Sequence, residues 1–398
     1  MRIVHIEDFF HPDAGYQINI LPKYMVQQNN EVYIVTSKME EAPDSLTSFF
    51  GKEDIDRRDR EYSARTGVII KRVSIFGFFS GRAIFRKSLF KTVQDLNPDV
   101  IYVHGNDTLT AMRFLMKYKK KKFPLVLDSH MLEMASVNKF NKVFRKFYRH
   151  FFTPIIIKNQ IPVIRTQDDS YVEKNLGIPL AQAPWISVGS DTLLFKEDQE
   201  ERKKFRKLYN ISDDDFVVIY TGKLDEAKGA KLLASVFSAK FPRKNVVLLV
   251  VGNSSEEYGI EIERMLKQSE NRVIRFPTQK YVDLAKFYQA SDLSVFPKQC
   301  SLSFYDAQAC GLPVVSEDNN INQDRLRFRN GFTFKQGCSK DFREKIIECI
   351  DMSENEFNEL KENSAQLVKS SYDYKEKSMI YMETIQKVHS QMVYKRGV

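Results

Sequence analysis

Short apolar runs alternate with stretches of helical spacing along the whole chain, and that alternation predicts a parallel α/β architecture. The run Arg2–Ile6 ends in the loop His11-Pro12-Asp13-Ala14-Gly15-Tyr16, after which Ile20, Tyr24 and Met25 recur at helical spacing. Glu31–Ser37 predicts a second strand. From Lys38 to Thr66 charged residues dominate without a period, which predicts a long surface loop. Further strands are predicted at Gly67–Val73, Asp99–Gly105, Pro124–His130 and Pro162–Gln167, with helices at Ala83–Leu96 and Leu109–Lys119. The pattern lapses between Trp185 and Phe195, and a charged helix, Glu197–Tyr209, leads into a second series of strands. These are Asp215–Gly222, Asn245–Gly252, Asn271–Pro277, Asp292–Pro297 and Leu312–Asp318. The last stretch, Tyr374–Val393, repeats Met379, Met382, Ile385, Val388 and Met392 at three-to-four spacing, the apolar stripe of one long helix.

Two strand–helix series predict two doubly wound, Rossmann-like domains, each with a parallel sheet covered on both faces. They span residues 1–190 and 191–372, and residues 373–398 form a helix that returns to the first domain. A chain of 398 residues is longer than one hydrophobic core usually supports, which agrees with two domains. The 42% hydrophobic and 28% charged residues argue against a disordered chain and against a membrane bundle. Glu7 and Asp8 interrupt the apolar run that a secretory signal needs, and Val246–Val251 is too short to span a bilayer, so a cytoplasmic protein is expected. Cys300, Cys310, Cys338 and Cys349 form no CxxC pair and have no histidine cluster of zinc-ligand spacing, which predicts reduced, buried thiols and no metal. The net charge of +9 implies an anionic partner: a nucleotide, a phospholipid surface or a nucleic acid. The nucleic-acid reading rests on charge alone and lacks a recognised module.

Three loops depart from the plain α/β rhythm, each at the carboxyl end of a predicted strand, where open α/β sheets bind ligands. In Pro12-Asp13-Ala14-Gly15-Tyr16, Gly15 stands just before a helix, where backbone can approach a diphosphate; an ordinary turn has the same composition. Gly222-Lys223-Leu224-Asp225-Glu226-Ala227-Lys228-Gly229 carries two lysines five apart, spaced to converge on one anion or to stand solvated. In Ser301-Leu302-Ser303-Phe304-Tyr305-Asp306, a helix starting near Ser303 aims N–H groups and hydroxyls at a ligand. Asp306 one turn in either accepts ribose hydroxyls or complements the helix dipole.

In order and spacing these loops resemble the retaining glycosyltransferases of the GT-B fold, family four (group 1). The matching residues are Pro12 and Gly15; Gly222, Lys223, Leu224, Lys228 and Gly229; and Asp306, Ala307, Ala309, Gly311, Pro313, Val314 and Val315. Ile186–Phe195 looks like the family's linker between domains. The resemblance implies two domains facing a central cleft and transfer of a sugar from a nucleotide-diphosphate donor with retention. The acceptor would be a saccharide, a lipid-linked sugar or a protein, in bacterial surface polysaccharide or glycoconjugate synthesis. It implies catalytic roles for His130, Lys223 and Lys228, the lysines neutralising the departing diphosphate without a metal. His130 equally fits a turn histidine bonded locally. Donor contacts are implied for Gly15, Tyr16, Gly222, Lys223, Lys228, Ser301, Leu302, Ser303 and Asp306. No cofactor beyond the sugar nucleotide is implied. The chain departs from the family pattern at three positions: Lys298 replaces an acidic residue, Lys223 an arginine, and Tyr16 a glycine. A nucleotide-sugar epimerase, or a GT-B subunit that has lost its chemistry, fits the same architecture.

Two segments concentrate positive charge, Lys117–Lys122 and Lys142–Phe152. The second interleaves cations with aromatics, which suits either an anionic membrane surface on the inner face of the cell membrane or a helix with a packed aromatic stripe.

Overall fold

Fourteen β-strands are assigned in the computed structural model, which describes residues 1–47, 50–79, 81–120, 122–131, 141–167, 170–254, 256–298 and 301–396. The chain divides into two compact units, one of Met1–Val188 with the segment from Tyr374 onward, the other of Gly189–Asp373.

In the first unit β1 (Arg2–Ile6), β2 (Glu31–Ser37), β3 (Ile69–Val73), β6 (Val100–Val103), β7 (Leu125–Ser129) and β8 (Val163–Arg165) form a parallel sheet in the order β3-β2-β1-β6-β7-β8. A two-stranded antiparallel ribbon, β4 (Ile75–Phe79) with β5 (Arg82–Phe85), stands apart from that sheet. The main sheet is buried on both faces because its strands are apolar at successive positions. Val4, Ile6, Val103 and Leu127 join one core cluster, and Ile3, Ile34, Tyr102 and Val126 the other.

The helix Tyr374–Arg396 packs on the second of these faces beside the helix Gln17–Gln27. Its buried stripe runs through Tyr381, Met382 and Ile385, with Met379 left 43% exposed. The apolar count alone had admitted Met379 and passed over Tyr381. That tyrosine is buried because its hydroxyl accepts from Gln17 Nε2 at 2.6 Å and donates to the Ile186 carbonyl at 2.8 Å.

Two other expectations change. Lys38–Thr66 holds a helix, Ile55–Thr66, which is charged nearly all round yet buries Ile55, Tyr62 and Thr66. Ion pairs Arg72–Asp59 and Arg58–Asp13, at 2.6 and 3.0 Å, tie its polar side down. The helix expected from Ala83 begins only at Ser88, since Arg82–Phe85 is taken up by strand β5. Three of the cysteines are free thiols, Cys310 and Cys349 buried and Cys338 half-buried; Cys300 lies outside the described residues.

The second unit repeats the plan with β9 (Phe216–Thr221), β10 (Val246–Val251), β11 (Arg272–Phe276), β12 (Leu293–Phe296), β13 (Val314–Glu317) and β14 (Gly331–Phe334), in the order β11-β10-β9-β12-β13-β14. All its pairings are parallel. The edge strand β14 was not foreseen, because Gly-Phe-Thr-Phe is too short to stand out from its surroundings. In each sheet the first strand lies beside both the second and the fourth of its series. The chain winds outward in both directions from that point, and ligands of open α/β sheets bind at the carboxyl ends there. No helix among the described residues is long and apolar enough to cross a membrane.

Candidate functional site

In the second unit the switch point lies between β9 and β12, and two of the three sequence loops leave from it. After β9 the chain closes a small loop. The Tyr220 hydroxyl donates to the Lys223 carbonyl at 2.7 Å, Leu224 N–H to the Asn253 carbonyl at 3.0 Å, and Lys228 N–H to Asp225 Oδ1 at 2.9 Å. Lys223 and Lys228, both half-buried, therefore flank one short turn. Gly229 closes it at φ +74°, and a Cβ there would stand 3.0 Å from Lys298 Cβ and 3.1 Å from Pro297 Cβ. Only glycine meets both demands.

After β12 the chain reaches Ser301, Leu302 and Ser303, all half-buried, and the helix Ser303–Ala309. Arg325, which sequence reasoning missed, holds this segment. Its Nη1 donates to the Ser301 carbonyl at 3.2 Å, and its guanidinium lies 5.1 and 4.9 Å from the ring centres of Phe304 and Tyr305. Asp306 is buried, and its Oδ1 accepts from Ser190 Oγ at 2.7 Å and Tyr281 OH at 3.2 Å. Both bonds fall on one oxygen. Burial raises this carboxyl to about 7, against the opposing pull of those two hydroxyls. Lys298 is exposed. Its charge reaches Glu317 at the end of β13, a carboxyl that burial raises and that the Gly337 N–H and Lys298 pull back down.

In the first unit the loop with Gly15 and Tyr16 follows β1. Tyr16 is 60% exposed at the start of the helix Gln17–Gln27, and Gly15 is half-buried. The carboxyl ends of β1, β6 and β7 bring together a cluster of which sequence reasoning had only His130. Asp128, fully buried, accepts the Gly105 N–H on Oδ1 at 2.7 Å. Its Oδ2 lies 2.8 Å from His104 Nδ1 and 3.3 Å from His130 Nε2. His104 Nε2 in turn meets His5 Nδ1 at 3.0 Å, and His130 Nδ1 meets Thr166 Oγ1 at 3.1 Å. Burial alone would raise Asp128, yet the two imidazoles bring it well below the usual carboxylate range. Burial likewise opposes charge on His130, and the Asp128 carboxylate overcomes it and raises that imidazole. The cluster is thus a buried carboxylate answered by two imidazoles and one backbone N–H. Nearby Asp8, bonded by the Thr110 hydroxyl at 2.7 Å, is pushed up to about 7 by its burial and by Glu7. His104 and Asp128 stand at the ends of two predicted strands. Only the pairing of β6 with β7 makes them neighbours, which is why one sequence did not reveal them.

Residues 201–367 match the family model described as Glycosyl transferases group 1. The lipopolysaccharide 1,2-N-acetylglucosaminetransferase of Salmonella typhimurium is 25% identical over 212 residues, 50% of this chain and 54% of that protein. The D-inositol 3-phosphate glycosyltransferase of Segniliparus rotundus is 35% identical over 140 residues, 33% of this chain and 30% of that protein. The chain therefore spans about half or less of the length of these two curated relatives. Among solved structures, Anabaena HepE in complex with UDP and glucose superposes with a TM-score of 0.73 at 18% identity, covering 97% of this chain and 100% of that one. That likeness shows the GT-B fold.

A pH prediction follows from Asp306. Its carboxyl keeps its proton up to about pH 7 in the folded chain, whereas the unfolded chain loses it near the ordinary 3.8. Between those values the folded state binds the extra proton, so Asp306 makes stability fall as pH rises through that window and then level off. Asp306→Asn keeps an acceptor for Ser190 and Tyr281 and should flatten part of that fall in denaturation midpoints measured from pH 5 to 8. A profile identical to wild type would show that the carboxyl is charged throughout.

Proposed function

Residues 201–367 of this chain are a group 1 glycosyl transferase domain on the GT-B fold, and from that premise we propose that the protein transfers a sugar from a nucleotide-diphosphate donor to an acceptor hydroxyl with retention of configuration. The observation that carries this reading is the closed turn that holds Lys223 and Lys228 at the switch point, its Gly229 against Pro297 and Lys298 on the connection that leads to Ser301–Ser303. Two ammonium groups and the N–H groups of that segment suit a diphosphate, whose negative charge grows as the glycosidic bond breaks. No metal is needed at the diphosphate when lysines carry that role. Asp306 would offer Oδ2 to the ribose while Oδ1 stays engaged, and Gly222 would let the backbone approach.

In the transfer, the bond from the anomeric carbon to phosphate oxygen breaks and a bond to the acceptor oxygen forms on the same face. The acceptor proton passes to the departing phosphate oxygen, giving a glycosylated acceptor and a nucleoside diphosphate. On the first unit, His130, Gly15 and Tyr16 are the residues proposed to act on the acceptor and transferred sugar. UDP is a reasonable first donor nucleotide, since HepE was solved with UDP and glucose. The acceptor we favour is a surface polysaccharide or glycoconjugate precursor, by analogy with the lipopolysaccharide relative.

An anionic membrane surface is the proposed working place. On the helix Asn141–Phe151, Tyr148 is buried while Val143, Phe147 and Phe151 are 70%, 46% and 52% exposed among Lys142, Lys146 and Arg149. Phe147 and Phe152 also border an apolar groove of about 530 Å³ edged by Lys87, Arg113 and Lys117. Cations around exposed aromatics suit anionic headgroups over an acyl layer.

Lys223→Ala and Lys228→Ala should each lower turnover about 10²- to 10³-fold with the fold intact. The first product, followed by proton NMR, should keep the donor's anomeric configuration. Wild-type turnover in either variant removes the lysines from the mechanism, and an inverted product removes retention.

In flotation assays the protein should bind vesicles containing phosphatidylglycerol and release them as salt rises, with weaker binding by a Phe147→Ser/Phe151→Ser variant. Equal binding to neutral vesicles would count against an anionic surface.

A further inference from the structure

The cluster at the ends of β1, β6 and β7 brings three donor atoms, one each from His104, Asp128 and His130, close together. Asp128 Oδ2 and His104 Nδ1 are both buried and lie 2.8 Å apart. With the His104 proton on Nε2, Nδ1 and Oδ2 face each other as lone pairs at that distance and repel unless a cation lies beside them.

The surrounding bonds set which atoms face the centre of the cluster. Gly105 N–H occupies Asp128 Oδ1, so Oδ2 is the oxygen turned to the imidazoles. His104 Nε2 faces His5 Nδ1 at 3.0 Å; with the shared proton on His104, its Nδ1 presents a lone pair. His130 is arranged alike. Its Nδ1 is engaged by the Thr166 hydroxyl at 3.1 Å, which leaves Nε2 facing Oδ2. A metal-ligating histidine commonly has its other ring nitrogen held by such an outer partner.

We propose that His104 Nδ1, Asp128 Oδ2 and His130 Nε2 bind one divalent transition-metal ion. The three atoms lie within 4.8 Å of one another. Two imidazoles and one carboxylate form the donor set of a borderline ion such as Zn²⁺ or Co²⁺, and do not suit Mg²⁺ or Ca²⁺, which prefer all-oxygen sites. The side chains of His104 and Asp128 are 1% and 0% exposed and that of His130 is 41%, so the ion would have buried ligands on one side. On the other, a coordination position stays open to water or a hydroxyl, whose proton such an ion makes more acidic. The expectation of no metal came from the family resemblance, in which lysines neutralise the diphosphate, and from cysteine and histidine spacing along the chain, whereas these ligands meet at the ends of adjacent strands. The site lies on the first unit and shares His130 with the glycosyl-transfer reading, and metal uptake tests it without a transfer assay.

The test is metal content and binding on the full chain. After chelation and dialysis, the protein should take up one Zn²⁺ per chain in a competitive titration with a chromophoric chelator, and Co²⁺ should give visible d–d bands. His130→Ala, a change at a half-exposed ring that spares the core, should weaken binding at least 10-fold. His104→Gln should abolish the d–d bands, and His5→Phe should weaken binding about 10- to 100-fold as an outer partner. His150→Ala and His389→Ala are controls that should bind like wild type. A wild-type chain that takes up no Zn²⁺ or Co²⁺ overturns the proposal and leaves a cluster that binds protons alone. Uptake unchanged in His130→Ala overturns the ligand assignment.

Discussion

The close approach of Gly229 to Pro297 and Lys298 governs the second unit. Those residues belong to the connections after β9 and β12, strands that pair side by side, and a single added carbon at Gly229 would press on both side chains. Because the two chain segments meet there, the turn with Lys223 and Lys228 and the segment with Ser301–Ser303 share one mouth of the sheet. Everything proposed about donor binding rests on that proximity. Tyr220, Asp225 and Asn253 fix the turn from inside, and Arg325 fixes the other segment through the Ser301 carbonyl and two aromatic rings. None of these supporting groups needs to touch a ligand.

The first unit uses the same winding to a different end. Where the second unit places cations at its switch point, the first gathers a buried carboxylate and three imidazoles. A buried charge is costly unless it is answered by donors or a counter-ion. Asp128 is answered by one backbone N–H and two imidazoles, and its outward partner, His130, is the half-exposed member of the set. The two units thus differ at the carboxyl ends of their sheets: the second carries two lysines there, the first a buried carboxylate among imidazoles.

Much of the fold was legible because period-two and period-3.6 patterns depend on burial, and burial here is strong. The continuous runs Phe216–Thr221 and Val246–Val251 are buried at every position. Legibility failed where burial is partial or polar. The helix Ile55–Thr66 hides three residues under a charged surface, and Tyr381 enters the core only because Gln17 and Ile186 satisfy its hydroxyl. For the site, Gly229 and the lysines were visible as a contiguous motif. His104, Asp128, Arg325 and Glu317 were not, since each acquires meaning from a residue on another strand or helix. The Lys298 departure also looks different in three dimensions: a carboxyl is present after all, at Glu317 on the next strand, within reach of the lysine's charge.

The central claim is that a nucleoside diphosphate binds at the switch point of the second unit. Hydrogen–deuterium exchange with and without UDP or another nucleoside diphosphate tests it most directly. The account predicts added protection in two peptides, one covering Thr221–Ala230 and one covering Ser301–Ala309, with the amino ends of the same strands unchanged. Saturating nucleotide that protects other segments while leaving both of these at their free rates would contradict it.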